Sequence, residues 1–98
     1  MSEQLDPIYK FKKPFQFDGE TIAEIDLSEI TDATRKQIET AKNRYYARKD
    51  RAPFFHEDAT AMLDLYCIVY GKPFDFFDNI GGQDFFALPF SIFAFLGK

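Results

Sequence analysis

Between Tyr9 and Phe17 the odd positions read Tyr, Phe, Lys, Phe, Phe and the even positions Lys, Lys, Pro, Gln, which is the two-residue period of a strand with one aromatic face. Past Asp18-Gly19, a second alternation sets Thr21, Ala23, Ile25 and Leu27 against Glu20, Glu24 and Asp26, broken only by Ile22. Two such runs around a turn predict a β-hairpin over about residues 8–27. A two-residue Asp-Gly turn would set Phe17 opposite Glu20 and odd residues opposite even ones, so that the two apolar faces disagree. A three-residue loop with Gly19 in the left-handed conformation pairs odd with odd and is the expected geometry. Pro14 has no amide to give to a ladder and marks an edge or an irregularity in the first strand.

Beyond Ile30 the period lengthens. Thr34, Ile38, Ala41 and Tyr45 recur at helical spacing behind Thr31 or Asp32 as cap, predicting a helix over about 32–49 that ends before Ala52-Pro53. A second helix, about 57–70, turns Ala59, Met62, Leu63, Tyr66, Val69 and Tyr70 inward and stops at Gly71 and Pro73. A short helical turn over about 74–80 points Phe74, Phe77 and Ile80 inward and Asp75 and Asp78 outward. After Gly81-Gly82 comes a last helix, about 83–96, apolar nearly all round, in which Pro89 marks a kink or a new start. The expectation is one α+β domain spanning residues 1–98, an N-terminal hairpin packed on three to four helices.

Composition changes this picture at one residue type. Of the 98 residues 13 are Phe, and 8 of those fall between Phe74 and Phe95. Each aromatic ring removes roughly 150–250 Å² from water when buried, so this stretch carries a large hydrophobic payload that core alone, an interfacial membrane anchor or a mixture of core and interaction surface could cover, the mixture being the expected reading. Phe74, Phe76, Phe86, Phe90 and Phe93 are therefore candidates for a surface that binds a client or another copy of the chain. A small domain that gains stability from association makes a homo-oligomer the expected state.

Charge is segregated. Residues 35–51 carry seven bases against Glu39 and Asp50, within a chain of net charge −4. Arg44, Arg48 and Arg51, beside Tyr45 and Tyr46, form a candidate basic face for nucleic acid, although the acidic segments on both sides weigh against that partner. The longest apolar-rich run, Phe85 to Leu96, is shorter than the roughly 20 residues needed to span a bilayer. Met1 to Pro7 is polar and acidic rather than basic and then apolar, so the expected location is the cytoplasm, with no membrane partner.

Chemistry is sparse. Cys67 is the single cysteine and His56 the single histidine. They are eleven positions apart, too far for neighbours on one helix, and together they fall short of a zinc ligand set. Asp75, Asp78 and Asp84 match no calcium-loop pattern, and Gly81-Gly82 lacks the Lys-Ser/Thr of a phosphate loop. No cofactor and no enzymatic activity are expected.

The arrangement of segments resembles the tail assembly chaperones of long-tailed bacteriophages, small proteins encoded before the tape-measure protein. The resemblance rests on Lys12-Lys13-Pro14-Phe15-Gln16-Phe17-Asp18-Gly19-Glu20-Thr21-Ile22, then Ile25, Leu27 and the helix entry at Ile30-Thr31-Asp32. It continues through Met62-Leu63-Asp64-Leu65-Tyr66, Tyr70-Gly71-Lys72-Pro73, Phe77, Ile80, Asp84 and Phe93-Ala94-Phe95-Leu96-Gly97. It implies a protein that coats the aggregation-prone tape-measure protein, helps recruit tail-tube protein, acts in the host cytoplasm and is absent from the finished virion. A structural adaptor of the particle and a nucleic-acid-binding module using residues 35–51 are the alternatives.

Overall fold

The computed structural model describes residues 6–97. Strands β1 (Ile8–Phe17) and β2 (Glu20–Asp26) form an antiparallel hairpin, and a 3-10 turn (Ser28–Asp32) leads to helix α1 (Arg35–Ala47). A second 3-10 turn (Phe55–Glu57) precedes helix α2 (Ala59–Tyr70), and helix α3 (Gly82–Leu96) closes the described chain. The class is α+β, as expected. The α-helices are three among the described residues, because 74–80 is not a fourth: Phe76, Asp78 and Ile80 donate to the carbonyls of Pro73, Asp75 and Phe77 in successive tight turns. Phe74 points outward there, while Phe76 and Phe77 are buried.

The hairpin departs from the expected register in an instructive way. Asp18 (φ 52°) and Gly19 (φ 80°) both have positive φ, so the turn is the two-residue type with Phe17 paired to Glu20 and Phe15 to Ile22. The conflict between the two faces is real, and β1 resolves it with a bulge. From Phe15↔Ile22 the pairing jumps to Lys10↔Glu24 and Tyr9↔Ile25, so the four residues Phe11–Pro14 stand against Ala23 alone. The surplus of three changes parity. Ile22, which looked out of step, reaches the core beside Phe15, and Ile25 reaches it beside Tyr9. Pro14 sits inside the irregularity, where its missing amide costs no ladder bond.

Helix α1 begins slightly later than expected. Thr34 is its cap rather than part of its apolar stripe: the hydroxyl accepts from Gln37 N, and Gln37 Oε1 accepts from Thr34 N, a reciprocal capping box. Helix α2 is the central element, buried on nearly every side from Ala61 to Cys67. Gly71 ends it with φ 67°, and its left-handed conformation lets Lys72 N reach back to Cys67 O. Helix α3 runs unbroken through Pro89, which is itself buried.

One core joins these elements. Phe11, Phe15, Ile25, Leu27 and Ile30 from the N-terminal half meet Met62, Leu63, Tyr66 and Cys67 of α2, Phe76 and Phe77 of the turns, and Leu88, Ile92 and Phe95 of α3. Edge-on ring contacts run from Phe11 to Phe15 to Phe76 to Phe77, at centroid separations of 5.0, 5.8 and 4.8 Å. Burial pushes the Cys67 thiol up to about 12, leaving it protonated and unreactive at neutral pH.

Candidate functional site

α3 has two faces, and what seats it decides which phenylalanines are free. Its first turn carries Asp84, fully buried, whose Oδ1 accepts from the Tyr9 hydroxyl (3.0 Å) and from Lys12 N (3.0 Å), while Oδ2 accepts from Lys13 N (3.1 Å). These are amides that the β1 bulge turns away from β2. One carboxylate therefore satisfies the irregular strand and sits at the positive end of a helix. Burial and the adjacent carboxylate push the Tyr9 phenol up to about 12.

With Asp84, Leu88, Ile92 and Phe95 turned inward, helical spacing places Phe86, Phe90 and Phe93 on the outside at steps of four and three. Phe86 is 77% and Phe90 70% exposed, with centroids 6.3 Å apart, and Phe93 is 42% exposed. The segment before α2 extends this face. His56 stacks on Phe93 at 4.9 Å and on Phe54 at 6.0 Å, both with planes 24° apart, and Phe54 is 60% exposed. Glu57 lines a hollow together with His56, Phe90 and Phe93. The result is a mainly aromatic surface that draws on two segments far apart in sequence.

The five phenylalanines singled out in the sequence divide accordingly. Phe86, Phe90 and Phe93 come together on this face. Phe74 is exposed but elsewhere: the Arg44 guanidinium lies 3.6 Å from its ring centroid, and it borders a groove with Leu63, Phe77, Ile80 and Phe85. Phe76 is a correction. At 3% exposure it is wedged among Phe15, Phe17, Tyr66 and Phe77, and it belongs to the core. The contributions of Phe54 and His56 escaped the sequence reading. Helical periodicity governs one element at a time, and these residues join α3 only through tertiary packing.

The basic face is partly engaged in internal contacts. Arg44 pairs with Asp64 (3.2 Å), Arg48 with Asp58, and Arg51 donates to Arg48 O (2.8 Å) at the end of α1. Each of the three arginines has an internal partner, yet Arg44 and Arg51 remain exposed, so these contacts draw on the basic surface expected at Arg44, Arg48 and Arg51 without removing it.

Asp58 is the hub of that network. Besides Arg48 it accepts from Ala52 N and Ala61 N, each at 2.8 Å, so it both caps α2 and anchors the chain leaving α1. Burial works against its charge, yet the two amides and the guanidinium outweigh burial and hold the carboxyl below the ordinary range. Its contribution to stability is thus complete above about pH 4, the unfolded value, and is lost as pH falls through the lower folded value. At Asp64 burial outweighs Arg44 and raises the carboxyl, so protonation of Asp64 favours the fold. Urea midpoints measured from pH 6 to 2 are expected to fall on the acid side in the wild type, and Asp58→Asn should flatten that fall while lowering the midpoint at neutral pH. An equally steep acid limb in D58N would assign it to other carboxylates.

Among the described residues no group of three or more His, Cys, Asp or Glu side chains could hold a metal ion, and no helix is long and apolar enough to cross a membrane. Comparison with family models, with curated proteins and with solved structures finds no match to this chain.

Proposed function

We propose that this chain is a non-catalytic assembly chaperone of a long-tailed bacteriophage, holding the tape-measure protein soluble in the host cytoplasm and helping to bring tail-tube protein to it. The observation that supports this reading most directly is the exposed row Phe86, Phe90 and Phe93, continued by Phe54 through His56. Exposed rings on a helix whose other face is locked into the core are a surface ready to take up the apolar stripe of a client helix. Single contacts of this kind are weak, and several copies lined along one long helical client would gain avidity from number. A homo-oligomer on the client, departing before the virion is complete, fits that arrangement.

Co-expression with the tape-measure protein tests it. The client should be soluble and co-purify with the wild-type chain, and it should pellet when expressed alone or with Phe90→Asp. A client equally soluble and uncomplexed with or without this chain would sink the proposal. Recovery of the chain in purified particles would favour a structural adaptor instead.

A further inference from the structure

The aromatic face carries a charge signature that names the chemistry of its partner. From Phe85 to Gly97 the sequence contains no charged residue, and Glu57 is the acidic residue that lines a common hollow with His56, Phe90 and Phe93. Among the described residues no lysine or arginine lies over Phe54, Phe86, Phe90 or Phe93, whereas Phe55, Phe74 and Phe76 each have a cation within 6 Å of the ring centroid.

The molecule shows elsewhere what such a combination accepts. At Phe74 a ring and a carboxylate, Asp64, are bridged by one guanidinium: Arg44 lies 3.6 Å from the ring centroid and its Nε donates to Asp64 Oδ2 at 3.2 Å. Phe90, Phe93 and Glu57 line one hollow, and among the described residues no lysine or arginine lies over either ring. His56 stands 4.0 Å from Glu57 and is stacked with both Phe54 and Phe93, while Phe86 and Phe90 remain largely exposed.

We propose that this face docks an amphipathic helix carrying arginine beside its apolar stripe, the apolar residues packing on Phe86 and Phe90 and a guanidinium seated over Phe90 or Phe93 and paired with Glu57. The inference rests on the client-binding reading above and adds the chemical selectivity of the same surface. Four partly exposed rings amount to roughly 500 Å² of aromatic surface, enough for one helix laid along two turns of α3 but short of the roughly 800 Å² per partner of a standard interface between folded domains. An anionic membrane surface is disfavoured by the acidic Glu57 and by the scarcity of flanking bases, Lys98 being the only lysine or arginine after Lys72 in the sequence.

Labelled synthetic helical peptides, with leucines at helical spacing and flanking positions that are all Arg, all Gln or all Glu, test this by fluorescence anisotropy on the full chain. The Arg peptide should bind about five- to tenfold more tightly than the Gln peptide, as a cation–π contact plus one partly exposed ion pair would give, and the Glu peptide weakest. Glu57→Gln should remove most of the Arg advantage while leaving the Gln peptide unaffected. Glu24→Gln, the same charge change on the exposed side of β2, should leave the advantage intact. Phe90→Asp should weaken all three. Equal binding of Arg and Gln peptides overturns the inference, and so does an equal effect of E24Q and E57Q, which would assign the preference to net charge. Binding by none of the peptides, with sedimentation showing a dimer abolished by Phe90→Asp, overturns it in favour of a second copy as occupant. In each of these cases a positive co-expression result would still leave the chaperone reading standing.

Discussion

Replacing Asp84 with alanine should unfold the protein or bring it close to unfolding. The side chain is fully buried and accepts three hydrogen bonds, two from main-chain amides of the β1 bulge and one from the Tyr9 hydroxyl. Removing it leaves three donors in a partly buried setting without their acceptor, at about 1–3 kcal/mol each. A domain of this size has about 5–15 kcal/mol in total, so a loss of about 3–9 kcal/mol takes most of the margin of a domain at the lower end of that range. Asp84→Asn keeps an acceptor but brings a second set of donors into the same place and should recover only part of the loss. Tyr9→Phe deletes a single donor together with its bond and should cost no more than about 1 kcal/mol. Urea denaturation of the four proteins gives the ranking, and an Asp84→Ala midpoint within error of wild type would show that the bulge is satisfied by other means.

A second large effect separates two phenylalanines ten residues apart. Phe76→Ala should cost about 3–5 kcal/mol, the usual range for emptying a buried ring site, because Phe76 contacts Phe15, Phe17, Tyr66 and Phe77. Phe86→Ala, at a ring 77% exposed, should change stability by less than about 0.5 kcal/mol and weaken client or peptide binding instead. Thermal or chemical denaturation combined with the binding measurement reads both consequences. If F86A were as destabilising as F76A, the outer row of α3 would be part of the fold and not a working surface.

Phe76 and Phe86 are residues of one type in one stretch of chain with opposite roles, which local periodicity does not separate. The alternation over β1, the turn at Asp18-Gly19, the stop at Gly71 and the apolar character of 83–96 are properties of neighbours within a few positions, and sequence alone was enough to place each. The capping box at Thr34 was equally local and was overlooked because Thr34 also fitted a helical stripe. The stretch 74–80 misled for a related reason: inward and outward residues three apart suit successive turns as well as a helix, and periodicity alone does not separate them over so short a span.

Determined by the sequence itself, then, were the class of the domain, the order and approximate limits of its elements, and the concentration of aromatic surface in the last quarter. Tertiary structure alone decided how that surface is divided. The hairpin faces conflict in parity, β1 resolves the conflict with a bulge, and the bulge exposes amides that only Asp84, some seventy residues later, satisfies. That bond fixes the rotation of α3. Rotation in turn buries Leu88, Ile92 and Phe95, leaves Phe86, Phe90 and Phe93 outside, and sets Phe93 against His56. Burial is a property of what lies opposite, and what lies opposite α3 is helix α2 together with a strand and a turn from the other end of the chain.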